Sequence, residues 1–448
     1  MKLFRAITVM ALLAAAASAQ GLESAWPQLD SFRSLGFESI NRLNLSTNFS
    51  IPIFARKGRG LDFTLRLDYH GRVWTMNGSF VEPVAGAGWT VDSAIGNFLT
   101  SGAGGTCGYP AYYYDADGNQ IFTGGDDGSI FWSSTGYQYV TANGTVIPNM
   151  VWVTTGSDDP ATDCPANSGA ESSTDPSSGI TLSVDDYGEV SASDLGGHVM
   201  TPYGITDRNG NQIAETFNDA WDSGRNDYLV TTQWFDTLNA STPVMTMSGY
   251  MSKPATTTFS FTAANGAAAT ATANYAAPSV SSGFNCSGLH DWSGTAYLLT
   301  GLSLPNATGY QFAYDSTAHL TGVTLPTAGT IHYLQFVDCT SGLPKQHLER
   351  WDSTNLQARN WVWDMTPAAS QGGNSTTVET DPLSDAGTYT FNGSGALATA
   401  ALGNLIETIC YNGDCAANPV GGITERQVTT ASYLPDSPWA APSSKPNS

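Results

Sequence analysis

Apolar and polar residues alternate over long stretches of this chain. In RLNLSTNFSIPIF, Leu43, Leu45, Thr47, Phe49, Ile51 and Ile53 occupy every second position, and in LDFTLRLDYH, Leu61, Phe63, Leu65, Leu67 and Tyr69 do the same. A period of two puts each set on one face of a strand. Asp62, Thr64, Arg66, Asp68 and His70 then fall on the opposite, wet face, and the linking ARKGRG predicts a hairpin. Shorter runs follow, among them GSIFWSS, YQYVTANGTVI, MVWVTT, YLVTTQWF, VMTMSGYM, TTTFSFTAA and TAYLLTGLSL. Helix signals are almost absent after residue 20. The pattern predicts an all-β protein of antiparallel hairpins.

One phrase recurs. YDADGNQI places an aromatic at Tyr114, Asp115, Gly118 and Ile121; TDRNGNQI repeats it with Asp207, Gly210 and Ile213. YDSTAHL carries Tyr314, Asp315, Ala318 and Leu320, and FNGSGAL carries Phe391, Asn392, Gly395 and Leu397. Each reads as strand, tight turn, strand. The Asp or Asn side chain bonds to backbone two residues on, and Gly supplies the left-handed position. A recurring hairpin points to stacked units sharing a core. The polar, apolar-poor segment 156–179 reads as a loop insertion between an N-terminal β region (20–155) and a middle β region (180–283), followed by a repeat-like β region (284–433) and a disordered tail (434–448).

Composition narrows the setting. Lys2 and Arg5 precede the apolar stretch Ala6–Ala17, and Ala17-Ser18-Ala19 supplies small residues before Gln20, which predicts a secretory signal at 1–19. No later segment has the long apolar run of a membrane helix. Asp and Glu outnumber Lys and Arg 39 to 17; losing Lys2 and Arg5 takes the net charge from −22 to −24. Such a chain repels phosphate backbones and is a poor nucleic-acid partner. The six cysteines all follow the signal, which favours disulfides. CYNGDC sets Asn412-Gly413 at the centre of a two-residue turn, so a Cys410–Cys415 bond is predicted across it. Cys107, Cys164, Cys286 and Cys339 leave three pairings open.

The longer phrases carry a resemblance. LPNATGYQFAYDSTAHLTGVTLPTAGTIHY resembles the repeat unit of YD-repeat or Rhs-type bacterial secreted proteins. LNLSTNFSIPIFARKGRGLDFTLRLDYHGRVW, followed by AGAGWTV, resembles the segment that opens many such chains. The similarity covers residues 35–100 and 300–336 most clearly, then 110–131 and 201–214. It implies hairpins wound into a spiral or curved sheet, with Tyr114, Asp115, Gly118, Asp207, Gly210, Tyr314, Asp315 and Leu320 as structural repeat residues. In long members of the family a shell encloses a toxic C-terminal domain. This chain departs from that pattern: it has few repeats and no recognisable toxin after residue 400. Asp381-Pro382-Leu383 also lacks the Gly of the family's self-cleavage site, so self-cleavage is not carried over.

No motif assigns a nucleophile, acid or base. His70, His198, His290, His319, His332 and His347 show no ligand spacing. Asp115, Asp117, Asn119 and Asp126 resemble a calcium loop, but Gln120 stands where an EF-hand needs Gly, and turn chemistry accounts for them better. Asp185 and Asp186 are sequence neighbours, so on a strand they face opposite ways and form no catalytic pair. Trp351, Trp361 and Trp363 suit packing better than sugar stacking. The basic cluster Arg56, Lys57, Arg59, Arg66 and Arg72 either docks on acidic surface or is solvated. The expectation is a secreted, non-enzymatic structural or binding module at the cell surface, with a protein or glycan partner, no membrane span and no cofactor or metal. The alternatives are a component of a toxin-delivery shell and a carbohydrate-active enzyme. A deep acidic cleft with two facing carboxylates would favour the last.

Overall fold

The computed structural model describes residues 32–430 apart from 59, 78, 94, 108–111, 115–119, 123–129, 142–146, 148–150, 156–167, 169, 177, 186–187, 239, 265, 340–343, 354–359, 371–372, 394–396, 403–404 and 412–422. The predicted signal at 1–19 and tail at 434–448 lie outside these. The described residues form antiparallel sheets, with one short 3-10 segment at Ala85–Gly88.

A five-stranded sheet comes first, in the order Phe32–Ser34, Ser39–Asn41, Thr47–Arg56, Phe63–His70 and Trp89–Ser93. The predicted hairpin forms, Phe49 opposite Tyr69 and Ile51 opposite Leu67. Phe49, Ile51, Phe63, Leu65, Leu67 and Tyr69 are buried on one face. The register shifts between Pro52 and Phe54. Proline has no N–H for the ladder, and the bulge beside it lets both Ile53 and Phe54 turn inward. The strand begins at Thr47, not at Leu43. Asn41 Oδ1 accepts the Leu43 N–H and Asn44 Oδ1 accepts the Ser46 N–H, making turns that compete with the ladder and leave Leu45 buried at φ 52°. The opposite face is not wholly wet either, since Asp68 is buried.

The second sheet is a meander of 21 strands in chain order, from Glu171–Thr174 to Ile423–Thr430. It passes over only the small pair Ser279–Ser281 and Ser293–Thr295, because Ala268–Ala276 pairs directly with Leu298–Ser303. The ladder therefore continues across residues 179/180, and it bypasses 283/284, which lie in the excursion between Ala276 and Leu298. Phe312 to Phe336 follows the predicted course: Gly309–Tyr314, Leu320–Thr324 and Thr330–Asp338 are consecutive antiparallel strands. A three-stranded sheet, Val151–Thr155, Ile130–Val140 and Asn97–Cys107, packs Tyr139 and Val151 against Leu182, Val184 and Ala192 of the first meander strands.

The meander must curve. Phe63 meets Trp234 at a ring separation of 6.0 Å, Phe54 meets Phe261 at 4.8 Å, and Trp89 meets Phe312 at 4.6 Å. Arg42 lies 4.0 Å over the Tyr389 ring. Eleven strand spacings separate the strands of Trp234 and Tyr389, about 50 Å in a flat sheet, whereas five strands are only about 20 Å across. Both ends reach the small sheet only if the large one wraps around it. The result matches the curved antiparallel sheet expected for the fold class.

Two buried ion pairs fasten the wrap. Arg42, fully buried, gives Nε to Glu379 Oε2 at 2.8 Å and Nη2 to Oε1 at 3.3 Å, and Trp363 Nε1 donates to the same carboxylate at 2.9 Å. Arg350 Nε lies 2.6 Å from Glu38 Oε1. Trp363 is thus core, while Trp361 stacks on it and lies under Arg33. From the basic cluster, Arg56 pairs with Asp236 of the meander at 3.5 Å and Lys57 with Asp62, while Arg66 turns to Asp92 at 2.9 Å.

Candidate functional site

Two of the four repeat phrases, at Asp207 and Asp315, share one hairpin end that recurs along the described residues. At eight places among the described residues, the first residue of a five-residue turn donates its N–H to the carbonyl of the fifth, and the fourth donates back to the first. These turns start at Asp185, Asp194, Asp207, Ala263, Leu304, Asp315, Leu325 and Asp381. Their fourth residues, Gly188, Gly197, Gly210, Gly266, Ala307, Ala318, Ala328 and Ser384, all have φ between 61° and 81°. This is a type I turn closed by a left-handed residue, which suits the twist of the flanking strands. Where Asp comes first, its Oδ1 also accepts the N–H of the fifth residue, at 2.8 Å for Asp207 and 3.0 Å for Asp315. Asp185, weighed as a catalytic acid, is occupied in the same way by Glu189 at 2.8 Å.

Asp207 shows what these carboxylates do. The Asn211 side-chain amide, with the N–H groups of Asn211 and Asn209, holds its carboxyl below the ordinary range against the opposing effect of burial. Gly210 supplies the turn's positive φ of 78°. At Asp315 the same place is filled by Ala318 at φ 61°, and Thr317 adds Oγ1 to the carboxylate at 2.7 Å. Tyr314 ties this turn to both sheets: its hydroxyl donates to Leu299 O at 2.7 Å and accepts Trp89 Nε1 at 2.8 Å. Leu320 is buried in the main core. Asp207, Gly210, Asp315 and Leu320 thus make turn and core contacts at separate hairpins. Sequence reasoning missed the turns at Asp185, Asp194 and Asp381, which are visible as Asp followed three residues later by Gly or a small residue.

Tyr114 ends the strand Tyr112–Tyr114, which pairs with Gln120–Phe122. Asp115 and Gly118 lie outside the described residues, as do Asp117, Asn119, Asp126, Arg59 and Gly395. Cys410 lies in the strand Leu405–Tyr411, opposite Glu425, and Cys415 with the Asn412-Gly413 turn is outside the described residues. Among the four remaining cysteines, Cys286 is bonded to Cys339 across a Cα separation of 5.4 Å.

The other candidate is a cleft of about 610 Å³ beside the five-stranded sheet, lined in part by Glu38, Arg66, Asp68, His70 and Asp92. Antiparallel register sets Arg66 opposite Asp92 and Asp68 opposite Thr90, so the two aspartates are diagonal neighbours on one face. Burial, then the charge of Asp68, raises the Asp92 carboxyl to about 7, with Arg66 opposing. Two carboxyls sharing a site cannot both ionise cheaply. Arg66 reaches Asp92 at 2.9 Å and Asp68 at 3.8 Å. The remaining oxygens, Asp68 Oδ1 and Asp92 Oδ1, are buried rather than presented to the cleft. This is a pair of adjacent carboxyls clamped by a guanidinium. Among the described residues, no group of three His, Cys, Asp or Glu is placed to hold a metal ion, and no helix is long and apolar enough to cross a membrane.

No family model matches the chain, and no curated protein matches it. Among solved structures, it is similar to a chain in the crystal structure of TcdB2-TccC3-TEV, at 10% identity and a TM-score of 0.17, over 94% of this chain and 23% of that one. The chain thus spans about a quarter of the length of that relative.

Proposed function

We propose that this protein is an exported, non-enzymatic β scaffold of YD-repeat type that serves as a structural or binding module at the cell surface. One observation carries the reading: a recurring set of acidic residues is consumed by architecture. Five aspartates close equivalent turns along one ladder, and Glu38 and Glu379 neutralise buried arginines. A chain that commits its carboxylates to turns and clamps is built to hold a shape and present a surface. The concave side of the meander is filled by the chain's own five-stranded sheet, which favours a free-standing module over a cargo-holding shell.

The cleft at Asp68 and Asp92 supports a second reading, a carbohydrate-active enzyme. Against it stand the Arg66 clamp and the inward-turned free oxygens. The test has two parts. Mass spectrometry of exported protein should find Gln20 at the amino terminus, and the purified protein should bind intact cells. A glycosidase panel should show no turnover that Asp68→Asn abolishes. An intact Met1, absence of cell binding, or an Asp68-dependent hydrolysis would overturn the reading.

A further inference from the structure

The strand Gln212–Asp222 pairs from Ile213 to Asp222 with Asp227–Asp236 on one side. On its other side, the strand Gly204–Thr206 covers only Gln212–Ala214. The Glu215 N–H still finds Tyr203 O at 2.7 Å on that outer side. Because N–H groups alternate in direction along a strand, Phe217, Asp219 and Trp221 also aim their N–H and C=O outward. Among the described residues nothing pairs with them. Met251 N donates to Tyr228 O, which turns the backbone of Tyr228 away from its partner Trp221 and fixes the same alternation.

The residues with open backbone also have open side chains. Phe217 is 59% exposed and Trp221 53%, and Asp219 between them is exposed. All three share one face with Trp234, the buried end of the same sheet surface. The far end of the hairpin is stiff. Asp222 Oδ1 accepts the N–H of Gly224 at 2.9 Å, and its Oδ2 accepts the Tyr250 hydroxyl at 2.7 Å. Asp227, buried, accepts the Lys253 N–H at 2.7 Å and that of Ser252 at 3.1 Å. An open edge held this firmly has already lost the freedom that binding would otherwise cost it.

We propose that the free edge of Glu215–Asp222 is a docking site for an extended segment of a partner protein that adds one antiparallel strand. The segment bears Lys or Arg opposite Asp219 and apolar residues opposite Phe217 and Trp221. This deepens the binding-module reading and rests on it. Strand addition satisfies the outward N–H and C=O groups, and alternate side chains then meet the apolar, acidic, apolar pattern. The charge selects the occupant. A second copy of this chain, paired antiparallel about Asp219, would set Asp219 against Asp219 and one acidic protein, net charge −22, against another. An apolar partner would strand the Asp219 carboxylate beneath it. A basic strand meets both conditions.

The test uses the full-length protein and a capped synthetic strand, Thr-Val-Thr-Lys-Thr-Val-Thr. Binding should be saturable and should slow hydrogen exchange of the backbone amides within 215–222. Changing the peptide Lys to Glu should weaken binding about fivefold to tenfold, since an attractive cross-strand pair becomes a repulsive one. Asp219→Lys should reverse the preference, binding the Glu peptide better than the Lys peptide. Binding that ignores both charge changes, or that leaves the 215–222 amides unprotected, overturns the proposal. So does Trp221-dependent binding of a neutral oligosaccharide, cellohexaose, without amide protection, which would make the face a sugar platform. Cell binding by the Asp219→Lys protein is scored separately, so a failed peptide arm with intact cell binding rejects this edge and not the module.

Discussion

Replacing Asp92 by Asn should stabilise the protein at pH 8, by progressively less as pH falls toward 4. Burial and then Asp68 raise the Asp92 carboxyl from 3.8 to about 7 in the folded chain, against the pull of Arg66. Between those values the folded state holds a proton that the unfolded chain has released. The stability linked to that proton is therefore fully present below about pH 4 and lost as pH rises through about 7. A gap of about three pH units at 1.36 kcal/mol each sets a ceiling of about 4 kcal/mol. Charge shared across Asp68 and Arg66, beside a cleft open to solvent, brings the expected effect to about 2 kcal/mol. Asparagine has the shape of the protonated acid and does not ionise. Its Oδ1 keeps the Arg66 bond, and its Nδ2 supplies a donor toward Asp68. Thermal melts of parent and variant from pH 5 to pH 8 decide the matter. The parent's midpoint should fall relative to the variant's as pH rises. Parallel profiles, or a variant less stable than the parent at pH 8, would refute the reasoning.

Tyr314→Ala, which removes an aromatic bonded to Leu299 O and Trp89 Nε1, should cost about 3 kcal/mol or more in denaturant melts; Asp315→Ala, which loses local turn bonds, should cost about 1 kcal/mol. Glu379→Gln leaves buried Arg42 without its counter-charge and should cost about 3–5 kcal/mol, with Arg42→Met in the same chain recovering much of that loss. Ala328→Gly relieves a left-handed alanine at φ 65° and should raise stability by about 0.5–1 kcal/mol in the same melts. Peptide mapping without reduction should recover Cys286 joined to Cys339, and either residue recovered as a free thiol would contradict the bond.

Local features were legible in the sequence because their causes are local. Alternation at Phe63, Leu65, Leu67 and Tyr69 announced the buried face, and Asp207 with Gly210 announced a turn, since both depend on neighbours within a few residues. The strand start at Thr47 was hidden by Asn41 and Asn44, whose side chains compete with the ladder for N–H groups while looking like ordinary polar positions in the alternation. The burial of Asp68 was hidden as well, because period two divides a strand into faces without saying whether the second face is covered. The partner of Arg42 is 337 residues away in sequence, and no local pattern marks such a pairing. The open edge at Phe217, Asp219 and Trp221 depends on where the neighbouring strand stops, which only the register of Gly204–Thr206 reveals.

The distance between Arg42 and Glu379 also sets a schedule. Every meander strand can pair with the one made just before it, so the large sheet can grow as the chain is synthesised. The small sheet is made first, yet the carboxylate that neutralises Arg42 is made 337 residues later. At about 5–20 residues per second, that is a wait of roughly 20–70 seconds. During it, Arg42 has no counter-charge, and the apolar row of Phe49, Ile51 and Leu67 gains cover only as the strands carrying Trp234, Phe261 and Phe312 are made. The newborn chain is then most exposed to aggregation and to chaperones, and the interval ends when the strand Ser375–Thr380 arrives.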